Sequence, residues 1–153
     1  MLIAGLLIAV TTVMFQAGAK PVFPDDVLTS VEKLRIEKES KVENRIKVYE
    51  SVSKRIHRAI EDAIAKNEFE TLPANLQIWT SFLEESFKDI EANIKPPKKP
   101  RALIKYEIHL RKAVSAMQKS KVRIPLEQEE VFNSCLSRAA AVHRKMVKIL
   151  FGH

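Results

Sequence analysis

Apolar and polar positions divide the chain into one unbroken apolar run, followed by stretches in which apolar residues return every three or four positions. The run covers Leu2 to Phe15 and gives way to Ala17-Gly18-Ala19, the small-x-small pattern that a signal peptidase accommodates. Residues 1–19 therefore read as a secretory signal peptide, cut between Ala19 and Lys20. No Lys or Arg precedes the run, and its length approaches the roughly 17–25 residues that span a bilayer. An uncleaved membrane anchor is the competing reading, with a buried core helix as the third.

Residues 20–28 are expected to form an extended N-terminal segment, and residues 29–153 a single helical bundle domain. Thr29-Ser30-Val31-Glu32 matches the capping box, in which a Thr hydroxyl and a Glu carboxylate satisfy the free amides of a helix start. A long first helix is expected from there. Its Val42, Ile46, Tyr49, Ile56, Ile60 and Ile64 share one face at about 100° per residue. Between Leu34 and Val42 that face is lost to Lys38 and its neighbours, so the first turns are expected to overhang the bundle as a solvated extension.

Asn67 to Leu72 reads as a turn, after which Pro73 opens a second helix with Leu76, Trp79, Leu83, Phe87, Ile90 and Ile94 in its stripe. Lys95-Pro96-Pro97-Lys98-Lys99-Pro100 cannot continue a helix and reads as an extended connector. A third helix carries Leu103, Tyr106, Leu110, Val114 and Met117, ending near Lys121. Pro125 starts the fourth, whose Val131, Cys135, Ala139, Val142, Met146 and Ile149 are expected to point inward. Gly152 is its expected cap. The fold class is all-α, and an antiparallel four-helix bundle is the simplest arrangement of helices of comparable length.

Composition narrows the chemistry. The chain carries three Gly residues in all, and past the expected signal peptide only Gly152 remains, against an average usage of roughly 7%. Phosphate-cradling loops and nucleophile elbows both need Gly. Cys135 is the single cysteine, so the domain must hold together by packing, without an internal disulfide. The formal charge of +7 favours anionic partners of any kind: a polyanion, an acidic protein or a lipid head group.

That charge is unevenly spread. From Lys95 to Arg123 ten basic residues face one acidic, Glu107, whereas from Asn67 to Ile94 six acidic residues face one basic, Lys88. Arg101, Lys105, Lys112 and Lys119 project within roughly 40° of one another on the third helix, and with Lys98 and Lys99 they form one basic ridge opposite the apolar stripe. The plain reading is that the second and third helices lie side by side and neutralise each other. The functional reading is that the ridge, with the free amides at its helix start, holds an anion.

Other constellations point to packing. His57 with Glu61 reads as a surface pair at i,i+4. His57, His109, His143 and His153 fall in no metal-ligand spacing, so neither a metal nor another cofactor is expected, although a haem between His143 and Met117 or Met146 defines an alternative. Ser30-Val31-Glu32-Lys33 and Ser51-Val52-Ser53-Lys54 match Ser-x-x-Lys without the partner motifs of that hydrolase class.

The sequence therefore describes an exported, periplasmic or secreted bundle that is not an enzyme and acts by binding an anionic partner. Specific nucleic-acid recognition is not expected, nor is a membrane span in the chain left after cleavage. A cofactor-carrying bundle and a membrane-anchored structural envelope protein are the alternatives.

Overall fold

The computed structural model describes residues 20–95 and 97–152; the expected signal peptide at 1–19 lies outside them. Five α-helices account for most of the described chain: α1 (Ser30–Lys38), α2 (Val42–Ala65), α3 (Leu72–Asn93), α4 (Arg101–Ser120) and α5 (Glu129–Phe151). None of them is long and apolar enough to cross a membrane.

The helix starts and stops follow local chemistry. Thr29 Oγ1 accepts the Glu32 amide at 3.2 Å while the Glu32 carboxylate accepts the Thr29 amide at 2.8 Å, completing the capping box. Asn67 takes φ 56° to turn the chain after α2, and Pro73 sits in the first turn of α3. Gly152 ends α5 in the left-handed region at φ 72° and donates its amide to Lys148 O at 2.8 Å.

The expected long first helix is two helices, broken at Glu39-Ser40-Lys41. Glu39 supplies the stop: its carboxylate accepts the Lys41 amide at 2.8 Å and the Asn44 side-chain amide at 3.0 Å. The guanidinium of Arg45 then donates to the carbonyls of Glu39 at 2.9 Å and Ser40 at 3.1 Å, satisfying acceptors that the helix break leaves without intrahelical donors.

The expected overhang is corrected by the same break. Lys38 is exposed, but Ile36 is buried in the main core, so α1 lies along α2 instead of projecting away. Residues 20–28 also pack. Phe23 places its ring 4.9 Å from Phe82 and 6.0 Å from Tyr49, while Arg55 donates to Val27 O at 3.0 Å and to Glu32 at 2.8 Å.

α2 packs on α3 and α4, and α5 packs on the same two. Arg45–Asp89 and Ser53–Trp79 show α2 and α3 running antiparallel. Glu107–His143 and Lys121–Glu129 show the same for α4 and α5. The two hairpins then meet with α2 parallel to α4, through Ser53–His109, and α3 parallel to α5, through Thr80–Cys135 and Glu84–Arg138. The proline-bearing connector thus crosses one end of the bundle diagonally, and α3 and α4 meet only across the core, where Ser86 and Tyr106 share a hydrogen bond of 3.0 Å.

Trp79, Tyr49, Tyr106, Phe82 and Phe132 are the largest fully buried side chains. In α5 the inward positions are Phe132 and Leu150, with Val131 and Ile149 only half-buried. That is a one-residue rotation of the expected stripe at both of its ends. The middle of the stripe, Cys135, Ala139, Val142 and Met146, is buried as expected, and the α-helix begins at Glu129, after Pro125 has led into a turn of 3-10 helix at Leu126–Gln128.

Candidate functional site: a basic ridge beside a polar core

Pro100 fixes where the ridge begins. It caps α4 in an extended conformation without a side-chain acceptor, and its carbonyl receives the amides of Leu103 and Ile104 at 3.0 and 3.2 Å. Burial of Leu103, Tyr106, Leu110, Val114 and Met117 turns Arg101, Lys105, Lys112 and Lys119 outward, because residues opposite an apolar stripe must face solvent. Lys98 and Lys99 join them from the connector, and all six are exposed.

The expected neutralisation by the acidic second helix does not form. That helix is α3, diagonal to α4, and three of its four carboxylates are engaged elsewhere: Asp89 with Arg45, Glu84 with Arg138 and Glu85 with Lys88. Among the described residues no carboxylate forms an ion pair with any of the six ridge cations. Lys99 instead holds its ammonium 5.8 Å above the Phe151 ring.

The ridge does not converge on a point. Arg101 to Lys119 spans roughly 27 Å at 1.5 Å per residue. Its middle borders a shallow groove of about 220 Å³, in which Lys105 and Lys112 face Glu50, Lys54 and His109. Glu50 is already paired with Lys54.

Beneath that groove lies a polar layer that periodicity alone did not reveal. Trp79 Nε1–H donates to Ser53 Oγ at 2.9 Å, and Ser53 lies 2.9 Å from His109 Nε2. The Ser53 hydroxyl has one proton and two lone pairs, so beside Trp79 it can give a proton to His109 or take one from it according to the ring tautomer. A Ser–His pair can generate a nucleophile, but Ser53 is completely buried. The arrangement therefore positions core groups and offers no attack on a substrate.

Burial, the neighbouring His57 and the Lys54 charge pull His109 down to about 4. Burial also lowers His57, against the opposing pull of Glu61. The expected i,i+4 pair with Glu61 forms, but from a buried His57 and not at the surface. Its Nδ1 sits 3.6 Å from that carboxylate while the ring is buried 5.1 Å from Trp79.

A histidine whose pKa falls on folding is neutral in the fold and takes up a proton on unfolding. Its contribution is complete above the unfolded value of 6.5 and is lost as pH falls toward 4. Allowing for the partial exposure of the ring, urea melts should show about 1–2 kcal/mol less stability at pH 5 than at pH 7.5. His109→Gln should reduce that difference, and an unchanged difference would show that His109 is not its source.

The remaining candidates are committed to packing. Cys135 is buried with its thiol pushed up to about 11 by desolvation, and it lies 3.0 Å from Thr80 Oγ1. His143 Nε2 is held by Glu107 at 2.8 Å, while Met117 and Met146 are in the core. No group of three or more metal-ligating side chains occurs among the described residues.

Lys145 and Lys148 lie near the end of α5, where cations complement the helix dipole. The diagonal connector brings Lys99 to the same end of the bundle, where the three line one groove with Phe151. Compared with protein-family models, curated proteins and solved structures, the chain matches none.

Proposed function

We propose that this chain is an exported helical-bundle protein that works by binding an elongated anionic partner along the α4 ridge, at the cell envelope or outside it, and does no chemistry of its own. The observation that carries the reading is the row of six exposed cations, Lys98, Lys99, Arg101, Lys105, Lys112 and Lys119, without ion-pair partners among the described residues. Like charges held in a row repel one another, and an anionic polymer laid along them relieves that repulsion while releasing its own counterions. Export rests on the apolar run and the Ala17-Gly18-Ala19 site.

Heparin chromatography tests the ridge. Replacing Lys98, Lys99 and Arg101 with Gln should release the protein at distinctly lower salt, since each lost phosphate- or sulfate-type contact lessens the salt dependence. Replacing Lys33, Lys47 and Lys54 with Gln removes the same charge from α1 and α2, where Lys33 and Lys54 already pair with Asp25 and Glu50. That control should shift elution less. Equal shifts would mean that retention reports net charge alone, and the ridge reading would fail.

A further inference from the structure

The end of the bundle where α3 and α5 finish and α4 begins carries a second feature, which shares only Lys99 with the ridge. A groove of about 680 Å³ opens between the connector and the last turns of α5, within the ~300–1,000 Å³ range typical of small-molecule sites. Its apolar wall comes from Ile94, Pro97, Ile149, Leu150 and Phe151. Phe151 leaves 54% of its surface exposed there, although it belongs to the final turn of a well-packed helix.

The polar groups of the groove are of one kind. Lys99, Lys145 and Lys148 stand around it against the single carboxylate of Glu91, and none of the three lysines forms an ion pair among the described residues. Lys99 and Lys145 lie over the rings of Phe151 and Phe87, each at 5.8 Å. Their ammonium groups thus stand against aromatic faces beside the apolar wall. An apolar wall below a cationic rim matches a molecule that is apolar at one end and anionic at the other. Lysine ammoniums are point charges without the planar fork that reads a phosphate in two directions, and Glu91 disfavours a head group of high charge.

We propose that this groove binds a long-chain carboxylate, with the alkyl chain against Ile94, Ile149 and Phe151 and the head group among Lys99, Lys145 and Lys148. The proposal rests on the anion-binding reading above and names a second ligand class at one end of the ridge. The two sites share Lys99, whereas Lys145, Lys148 and the apolar wall belong to the groove alone.

Titration calorimetry with laurate, kept below its micelle concentration, tests it on the purified protein. Lys145→Gln/Lys148→Gln should weaken laurate binding about tenfold, as the loss of two partly screened charge contacts implies. Phe151→Ser should weaken it by a similar factor through lost apolar burial. Val122→Ser/Leu126→Ser, at the exposed tip of the opposite end, should leave it unchanged. Circular dichroism confirms that each variant keeps its helices, which is expected because all the replaced side chains are exposed. Binding of dodecyl maltoside as tight as that of laurate would overturn the role of the lysines. Laurate binding that is absent, or indifferent to both groove variants, would overturn the site. Because heparin elution reads Lys98, Lys99 and Arg101, while laurate reads Lys145, Lys148 and Phe151, failure of one proposal is separable from failure of the other.

Discussion

Arg45→Met should destabilise the fold by about 3–5 kcal/mol, because it leaves the buried carboxylate of Asp89 without its counter-charge. Both side chains are almost wholly inaccessible, at 4% and 1% exposure. The guanidinium grips the carboxylate through two bonds, Nε to Oδ2 at 2.8 Å and Nη2 to Oδ1 at 2.9 Å. Tyr49 adds a third, donating to Oδ2 at 2.6 Å, and burial, helped by this bond to the carboxylate, pushes the phenol pKa upward. The remaining Arg45 donor holds the α1–α2 break, so the same substitution should also loosen α1. Denaturant melts of Arg45→Met, Asp89→Leu and the double variant decide the matter. The double variant should recover most of the loss, since removing both charges removes the unpaired one. A double variant as unstable as the sum of the singles would show no coupling between the two side chains, and the unpaired-charge account would fail.

Trp79→Ala is the second large effect expected, again about 3–5 kcal/mol, from the cavity left by a fully buried indole. Trp79→Phe separates the two roles of the ring. It keeps most of the apolar volume but removes the Nε1–H that donates to Ser53, and should cost about 1–2 kcal/mol. Lys38→Ala, on the exposed side of α1, should cost less than about 0.5 kcal/mol. Urea melts of the three variants should rank in that order, and a Lys38 effect equal to that of Trp79 would contradict the packing described for α1.

The helices themselves were legible because their signals are local. An apolar residue every three or four positions, a Thr-x-x-Glu box, a Pro in a first turn and a Gly at a helix end each act within a few residues. The stripes of α2, α3 and α4 accordingly appear in the structure nearly as expected. The interior polar groups escaped the same reading because a stripe is defined by its apolar members. Arg45, Tyr49, Ser53 and His57 form an i,i+4 row on α2, yet three of the four are polar enough to pass for solvated positions. Their partners are distant in sequence: 44 residues separate Arg45 from Asp89 and 56 separate Ser53 from His109. The packing of the N-terminal segment and of α1 was not legible for a related reason, since Phe23, Val27 and Ile36 are too few to show a period.

By itself the sequence determined an all-helical chain with a basic stretch centred on the third of its long expected helices, because side-chain spacing along one helix sets which groups share a face. It could not determine which helices would be neighbours. That choice depends on how four apolar faces interlock across the whole chain, and it placed α4 against α2 and α5, away from the acidic α3. The ridge is left without the counter-charges that its sequence neighbour seemed to offer, and Lys99 is carried to Lys145 and Lys148. Both consequences follow from the diagonal crossing of the connector, a contact between distant segments that periodicity along the chain does not encode.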